Sequence, residues 1–190
     1  MDTLRQFTVC GLSELGDYRS GGVTHVISIL DPGTPAPDML STYPPHSRMV
    51  LRFHDEIDPA PHVVLPDYKD IEKILAVGRE ALHDGAHVLI HCHMGVSRSA
   101  ATLAALLAMS FPDEAEDLIF ARVLRLRPNA WPNSRMIALA DELLGRSGRL
   151  THALGRLYAT QLARQPEFGR YLRENGRGRE VDLAERHAAL

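Results

Sequence analysis

The segment Val88-Leu89-Ile90-His91-Cys92-His93-Met94-Gly95-Val96-Ser97-Arg98-Ser99 constrains the fold of this chain more than any other. Val88 to Ile90 is a continuous apolar run, the pattern of a strand covered on both faces, and Ala100 to Met109 is rich in Ala and Leu, as a buried helix is. Cys92 to Arg98 is then a loop between a strand end and a helix start. Backbone N–H groups from His93 to Arg98 can turn inward there, and the helix dipole adds positive potential, so the loop suits an anion. The same field stabilises a thiolate, which makes Cys92 a candidate nucleophile with a depressed pKa. Arg98 offers a planar fork that can hold two phosphate oxygens at once. Gly95 lets the loop close tightly, and Ser99 is placed to hydrogen-bond the Cys92 sulfur. His93, Met94, Gly95, Val96, Ser97 and Arg98 are therefore the candidate phosphate-binding residues. A cysteine merely packed at a strand end is the plainer alternative, and the arginine-serine pair after it argues against that.

His91-Cys92-x5-Arg98-Ser99 resembles the signature of the cysteine-dependent protein tyrosine phosphatases. Thr8 to Leu15 and Gly22 to Leu30 are similar to the opening strands of the compact dual-specificity branch. Met49 to Asp55 reads as a further strand, and the resemblance implies a general acid on the loop that follows it. Asp55 fits that place, with Asp58 the runner-up and Glu56 third, because the loop beyond is irregular. Phe53-His54-Asp55 also resembles the equivalent stretch of the tensin-related lipid and protein phosphatases. The resemblance implies a displacement through a cysteinyl-phosphate, with a bell-shaped pH profile and no metal or other cofactor. It also implies that His91 positions the thiolate. Trp131-Pro132-Asn133 resembles the acid loop of the larger tyrosine phosphatases but lies downstream of Cys92 and ends in Asn. Asn133 instead fits a residue that caps the last helix of the fold or braces the cradle. His54, His91 and His93 make a poor metal cluster, since neighbouring strand positions alternate faces. His93 is expected to give only its backbone amide and to present its ring to solvent or substrate. Cys10 can be imagined in a reversible disulfide with Cys92, though most such cysteines are packed.

The chain reads as α/β: a small central, mostly parallel sheet flanked by helices, with the site at the carboxyl end of its central strand and a C-terminal helical extension. Strands are expected near 7–12, 23–30, 48–54 and 87–91. Tyr68, Ile71, Leu75 and Leu82 recur at helical spacing, which predicts an amphipathic helix over 67–83 bounded by Pro66 and Gly85. Further helices are expected near 98–110, 113–126 and 133–145. A catalytic domain over 1–146 is followed by an arginine-rich extension over 147–190, expected to pack on the same domain. Its pattern predicts a helix from Leu150 to Leu162, with Gly176-Arg177-Gly178 flexible.

The 190 residues, 45% hydrophobic with a formal charge of −3, suit one globular enzyme and give no bulk-charge case for nucleic acid binding. The two cysteines make no disulfide framework, and the N-terminus lacks the pattern of a signal peptide. The longest apolar stretch is too short to span a bilayer. A reducing cytoplasm is the expected location. Lys69 and Lys73 are the only lysines, an arginine bias that suits a GC-rich bacterial genome. The expected substrate is a phosphorylated protein, on tyrosine or on serine or threonine as well, or a small phosphate ester; the cradle positions His93, Met94, Val96 and Ser97 hold no lysine for additional phosphates, which favours a singly phosphorylated group. An inositol-phosphate or lipid-phosphate phosphatase and a phosphoprotein-binding pseudophosphatase are the alternatives. Oligomeric state is left open.

Overall fold

A computed structural model describes residues 6–83 and 86–188, without the side chains of Leu82 and His83; the expected Gly85 stop and the Leu82 contact lie outside the described residues. Four strands, β1 (Phe7–Cys10), β2 (His25–Leu30), β3 (Ser47–Arg52) and β4 (Val88–His91), form one sheet in the order β1-β4-β2-β3. All three pairings are parallel, with Val9 opposite Ile90 and Ile27 opposite Ile90. β4 is thus an interior strand, and every one of its residues is buried, as its unbroken apolar sequence requires.

The pleat sends alternate residues to two cores. Phe7, Val9, Ile27, Ile29, Val88 and Ile90 face the main core with the helices. Cys10, Val26 and Leu89 face a smaller cluster with Leu15, Leu40 and Tyr43. That second face is covered by short 3-10 turns, Leu12–Tyr18 and Asp38–Thr42. The loop carrying Pro32, Pro35, Pro37, Pro44 and Pro45 allows no long helix there.

The helical side carries α1 (Tyr68–His83), α2 (Arg98–Ser110), α3 (Glu116–Leu126) and α4 (Ser134–Leu143). α2 is buried from Arg98 to Ala108, and from Ala100 onward that stretch is apolar on every side except at Thr102, as a central helix must be. Beyond it the chain forms α5 (Arg149–Arg164), α6 (Pro166–Glu174) and α7 (Gly178–Ala188), three helices where the periodicity predicts one. Pro166 ends α5 and supplies the first residue of α6. Leu150, Leu154, Tyr158, Leu172 and Val181 join the same hydrophobic cluster as the strands. The Gly176-Arg177-Gly178 segment is corrected from flexible to packed: Arg177 is almost wholly covered, and Gly178 opens α7.

Asp141 ties this extension down. Its buried carboxylate accepts the backbone N–H of Gly148 at 2.5 Å, Leu150 at 2.7 Å and Thr151 at 3.3 Å, serving the orphan amides at the start of α5. Asp141→Ala is expected to lower unfolding stability by about 2–3 kcal/mol, since it strands several buried donors, and Asp141→Asn by less. Urea denaturation of the two variants checks this; equal stability of Asp141→Ala and the parent would contradict it.

Candidate active site

The loop between β4 and α2 closes around the Cys92 side chain. Cys92 is buried, its Sγ accepts the Gly95 N–H at 3.3 Å, and Ser99 Oγ lies 3.2 Å from it. Gly95 has φ +70°, and a Cβ there would meet the Cys10 carbonyl carbon at 2.5 Å and the Gly11 nitrogen at 2.6 Å. No other residue fits without moving β1. The loop is braced from behind. Leu12 N–H donates to the His93 carbonyl at 3.0 Å, Trp131 N–H to Val96 at 2.9 Å, and Arg127 Nε and Nη2 to the carbonyls of Gly95 and Met94, each at 3.0 Å. Arg127 is itself clamped by Glu14 at 2.7 and 2.6 Å. That bond is the main reason the Glu14 carboxyl lies below, and the Arg127 guanidinium above, its ordinary pKa. With its carbonyls occupied from outside, the loop is free to turn amides inward.

Arg98 is anchored along one edge. Nη1 donates to Asp31 Oδ1 at 2.6 Å and to the Phe53 carbonyl at 2.7 Å, while the buried Nε has no partner in the protein. A buried guanidinium N–H without an acceptor is costly, and an oxyanion in the cradle would supply one. Asp31 follows β2 directly and was not foreseen. Because all strands are parallel, the residue after β2 lies beside the end of β4, and that topology is the signal that could have found it.

Asp55 follows β3. Its Oδ1 accepts from Ser97 Oγ at 2.7 Å and Asn133 Nδ2 at 3.0 Å, with Arg177 Nη1 at 3.6 Å. Asn133 also caps α4, accepting the Met136 N–H at 3.1 Å, so one buried amide links the helix to the Asp55 loop. Asp58 points away into an ion pair with Arg179 at 2.6 Å. Asp55 and Glu56 line a pocket of ≈ 580 Å³ together with Cys92, His93, Met94, Val96, Ser97 and Arg98. The far wall comes from the extension: Phe168, Tyr171 and Leu172 of α6, and Arg177. Phe168 stacks on Tyr171 at 5.8 Å and meets Trp131 edge-on at 5.3 Å. Met94 (73% exposed) and Tyr171 (57%) stand at the mouth.

The structure separates the histidines. The part-exposed His93 side chain lines the pocket and lies against Asp31, with Nε2 accepting the Asp31 N–H at 3.4 Å. His91 faces β2, its Nε2 2.7 Å from Ser28 Oγ. Among the described residues no group of three or more His, Cys, Asp or Glu could hold a metal ion, and no helix is long and apolar enough to cross a membrane. Both cysteines are free; burial, with the Glu14 carboxylate adding to it, pushes the Cys10 thiol up to about 12.

Burial pushes the His91 imidazole down from 6.5 to about 4. The unfolded chain therefore takes up this proton near pH 6.5 and the folded chain resists it until about 4. The resulting stability, on the order of 3 kcal/mol, is complete above pH 6.5 and is lost as the pH falls through that window. The stability gap between the parent and His91→Gln should shrink from pH 7 to pH 4; a constant gap in denaturant titrations would contradict this.

No protein-family model matches the chain. A stretch of 70 residues, 37% of the chain, is 40% identical to the human protein phosphatase Slingshot homolog 3, of which it spans 10%. The human tyrosine phosphatase-like serine/threonine/tyrosine-interacting protein superposes with a TM-score of 0.59 at 22% identity, over 75% of this chain and 93% of that one. Human DUSP28 gives 0.58 at 18% identity over 75% and 94%, and PTPMT1, solved in complex with PI(5)P, gives 0.55 at 12% over 75% and 92%. With this architecture and the His91-Cys92-x5-Arg98-Ser99 loop at the end of its central strand, the chain has the fold of the cysteine-dependent protein tyrosine phosphatases, in its dual-specificity form.

Proposed function

We propose that this chain is a phosphatase that hydrolyses phosphomonoesters on proteins, on tyrosine and also on serine or threonine, through a cysteinyl-phosphate. The observation that carries the reading is the shared pocket of Cys92, Arg98 and Asp55, in which the Arg98 Nε lacks a partner. In the first step Cys92 Sγ attacks phosphorus, the S–P bond forms, and the P–O bond breaks as Asp55 gives its proton to the leaving oxygen. Arg98 and the amides of residues 93–98 hold the three equatorial oxygens. In the second step Asp55 takes a proton from water, which attacks phosphorus. The S–P bond breaks, Ser99 Oγ supports the departing thiolate, and inorganic phosphate leaves.

The lining supports a singly phosphorylated substrate. Residues 93–97 bring no lysine, and the apolar mouth of Met94 and Tyr171 suits the ring of phosphotyrosine. The same apolar mouth also suits a lipid phosphate, which is the second reading. Two free thiols support a reducing, cytoplasmic location, and the arginine bias supports a bacterial source.

Hydrolysis of p-nitrophenyl phosphate and a phosphotyrosyl peptide in EDTA tests the proposal with wild type, Cys92→Ser and Asp55→Asn. Cys92→Ser should abolish turnover of both, and Asp55→Asn should lower kcat on the peptide about 10²–10⁴-fold. Turnover by Cys92→Ser would overturn the reading. An inactive wild type that binds the phosphopeptide would make the cradle a recognition site, and selective turnover of phosphoinositide vesicles would favour the lipid reading.

A further inference from the structure

Arg177 reaches the site from the turn between α6 and α7, and its side chain is 11% exposed. Nε and Nη2 grip the buried Glu180 at 2.8 and 2.9 Å, and Nη1 donates to Ser97 Oγ at 3.0 Å beside Asp55 Oδ1. Glu180 cannot follow a moving partner. It also accepts from Trp131 Nε1 at 2.6 Å and the Ser134 N–H at 2.9 Å, and the Tyr158 hydroxyl lies 3.0 Å away. Arg177 thus joins the buried Glu180 cluster to the Ser97 and Asp55 end of the site.

The contacts on Asp55 all fall on Oδ1: Ser97, Asn133 and Arg177. An oxygen crowded by donors is the poorer place for a proton, so a protonated Asp55 carries it on Oδ2. We propose that Arg177 is a positioning residue for the general acid, holding Asp55 by Oδ1 so that Oδ2 presents the transferable proton to the leaving group. This rests on the phosphatase reading above and on Asp55 as its acid. Three of the five Arg177 N–H groups, one on each nitrogen, are spent within the protein on Glu180 and Ser97, in contrast to the unpartnered Nε of Arg98. Burial works against its charge, but the Glu180 and Asp55 carboxylates outweigh that and hold it above its ordinary pKa, so the contact persists across the working range of pH. The C-terminal segment then supplies part of the acid site that the cradle and the strands leave incomplete.

The test uses two leaving groups on the full chain. p-Nitrophenolate departs without help from an acid, whereas phenolate needs the proton. The ratio of kcat/KM for p-nitrophenyl to phenyl phosphate, which excludes the second step that both substrates share, is measured for wild type, Arg177→Lys, the double variant Arg177→Met with Glu180→Gln, and Asp55→Asn. The double variant avoids a buried unpaired carboxylate and keeps one carbonyl acceptor, for either Trp131 on the Oε2 side or Ser134 on the Oε1 side. The ratio should rise about a hundredfold in Asp55→Asn, about tenfold in the double variant, and less in Arg177→Lys, which keeps a cation in place. If the double variant does not fold, Arg177→Lys alone carries the comparison. A ratio unchanged at Arg177 but raised in Asp55→Asn overturns the positioning role alone; a ratio unchanged in Asp55→Asn overturns the acid assignment and this proposal with it.

Discussion

Seven residues, Cys92 to Arg98, carry the chain from a buried strand into a buried helix through an open turn, and the rest of the site depends on holding that turn open. Left alone, such a loop would collapse so that its own carbonyls met its amides. Here the carbonyls of His93, Met94, Gly95 and Val96 are taken by Leu12, Arg127 and Trp131, which leaves the amides to face inward. Gly95 sits where only hydrogen fits against β1. The brace is a chain of charge: Arg127 holds the loop, and Glu14 holds Arg127.

The two arginines of the site are used in opposite ways. Arg98 is anchored by Asp31 and Phe53 through Nη1, and its Nε is left without a partner in the protein, the arrangement that the proposed phosphate contact requires. Arg177 is enclosed on every nitrogen and transmits position from Glu180 to Ser97 and Asp55. The pocket wall formed by α6 comes from the same C-terminal stretch. The extension is therefore part of the site's construction, sharing one hydrophobic cluster with the sheet.

What could be read from the residues follows from how local each signal is. The β4-loop-α2 unit is contiguous, so its strand, its helix and its cradle residues could be assigned from a dozen positions. The braces could not. Asp31 pairs with Arg98 across 67 positions, Glu14 with Arg127 across 113, and Arg177 with Ser97 across 80. No periodicity encodes such distances; only the parallel topology brings them together. Arg177 was read as flexible because glycines flank it, and its order comes instead from Glu180 one turn further on, which needs a buried ion pair to be tolerated at all. Two of the extension's helices escaped for a related reason, since α6 and α7 are short and polar on average and are held by contact with α5.

The central claim is that Cys92 becomes covalently phosphorylated during turnover. The most direct measurement is rapid acid quenching of the wild-type chain during hydrolysis of radiolabelled p-nitrophenyl phosphate, followed by mapping of the labelled peptide. The account predicts a phosphoryl group on the peptide containing Cys92, formed at the rate of product release. Steady turnover with no labelled protein, or a label on any other residue, would contradict it.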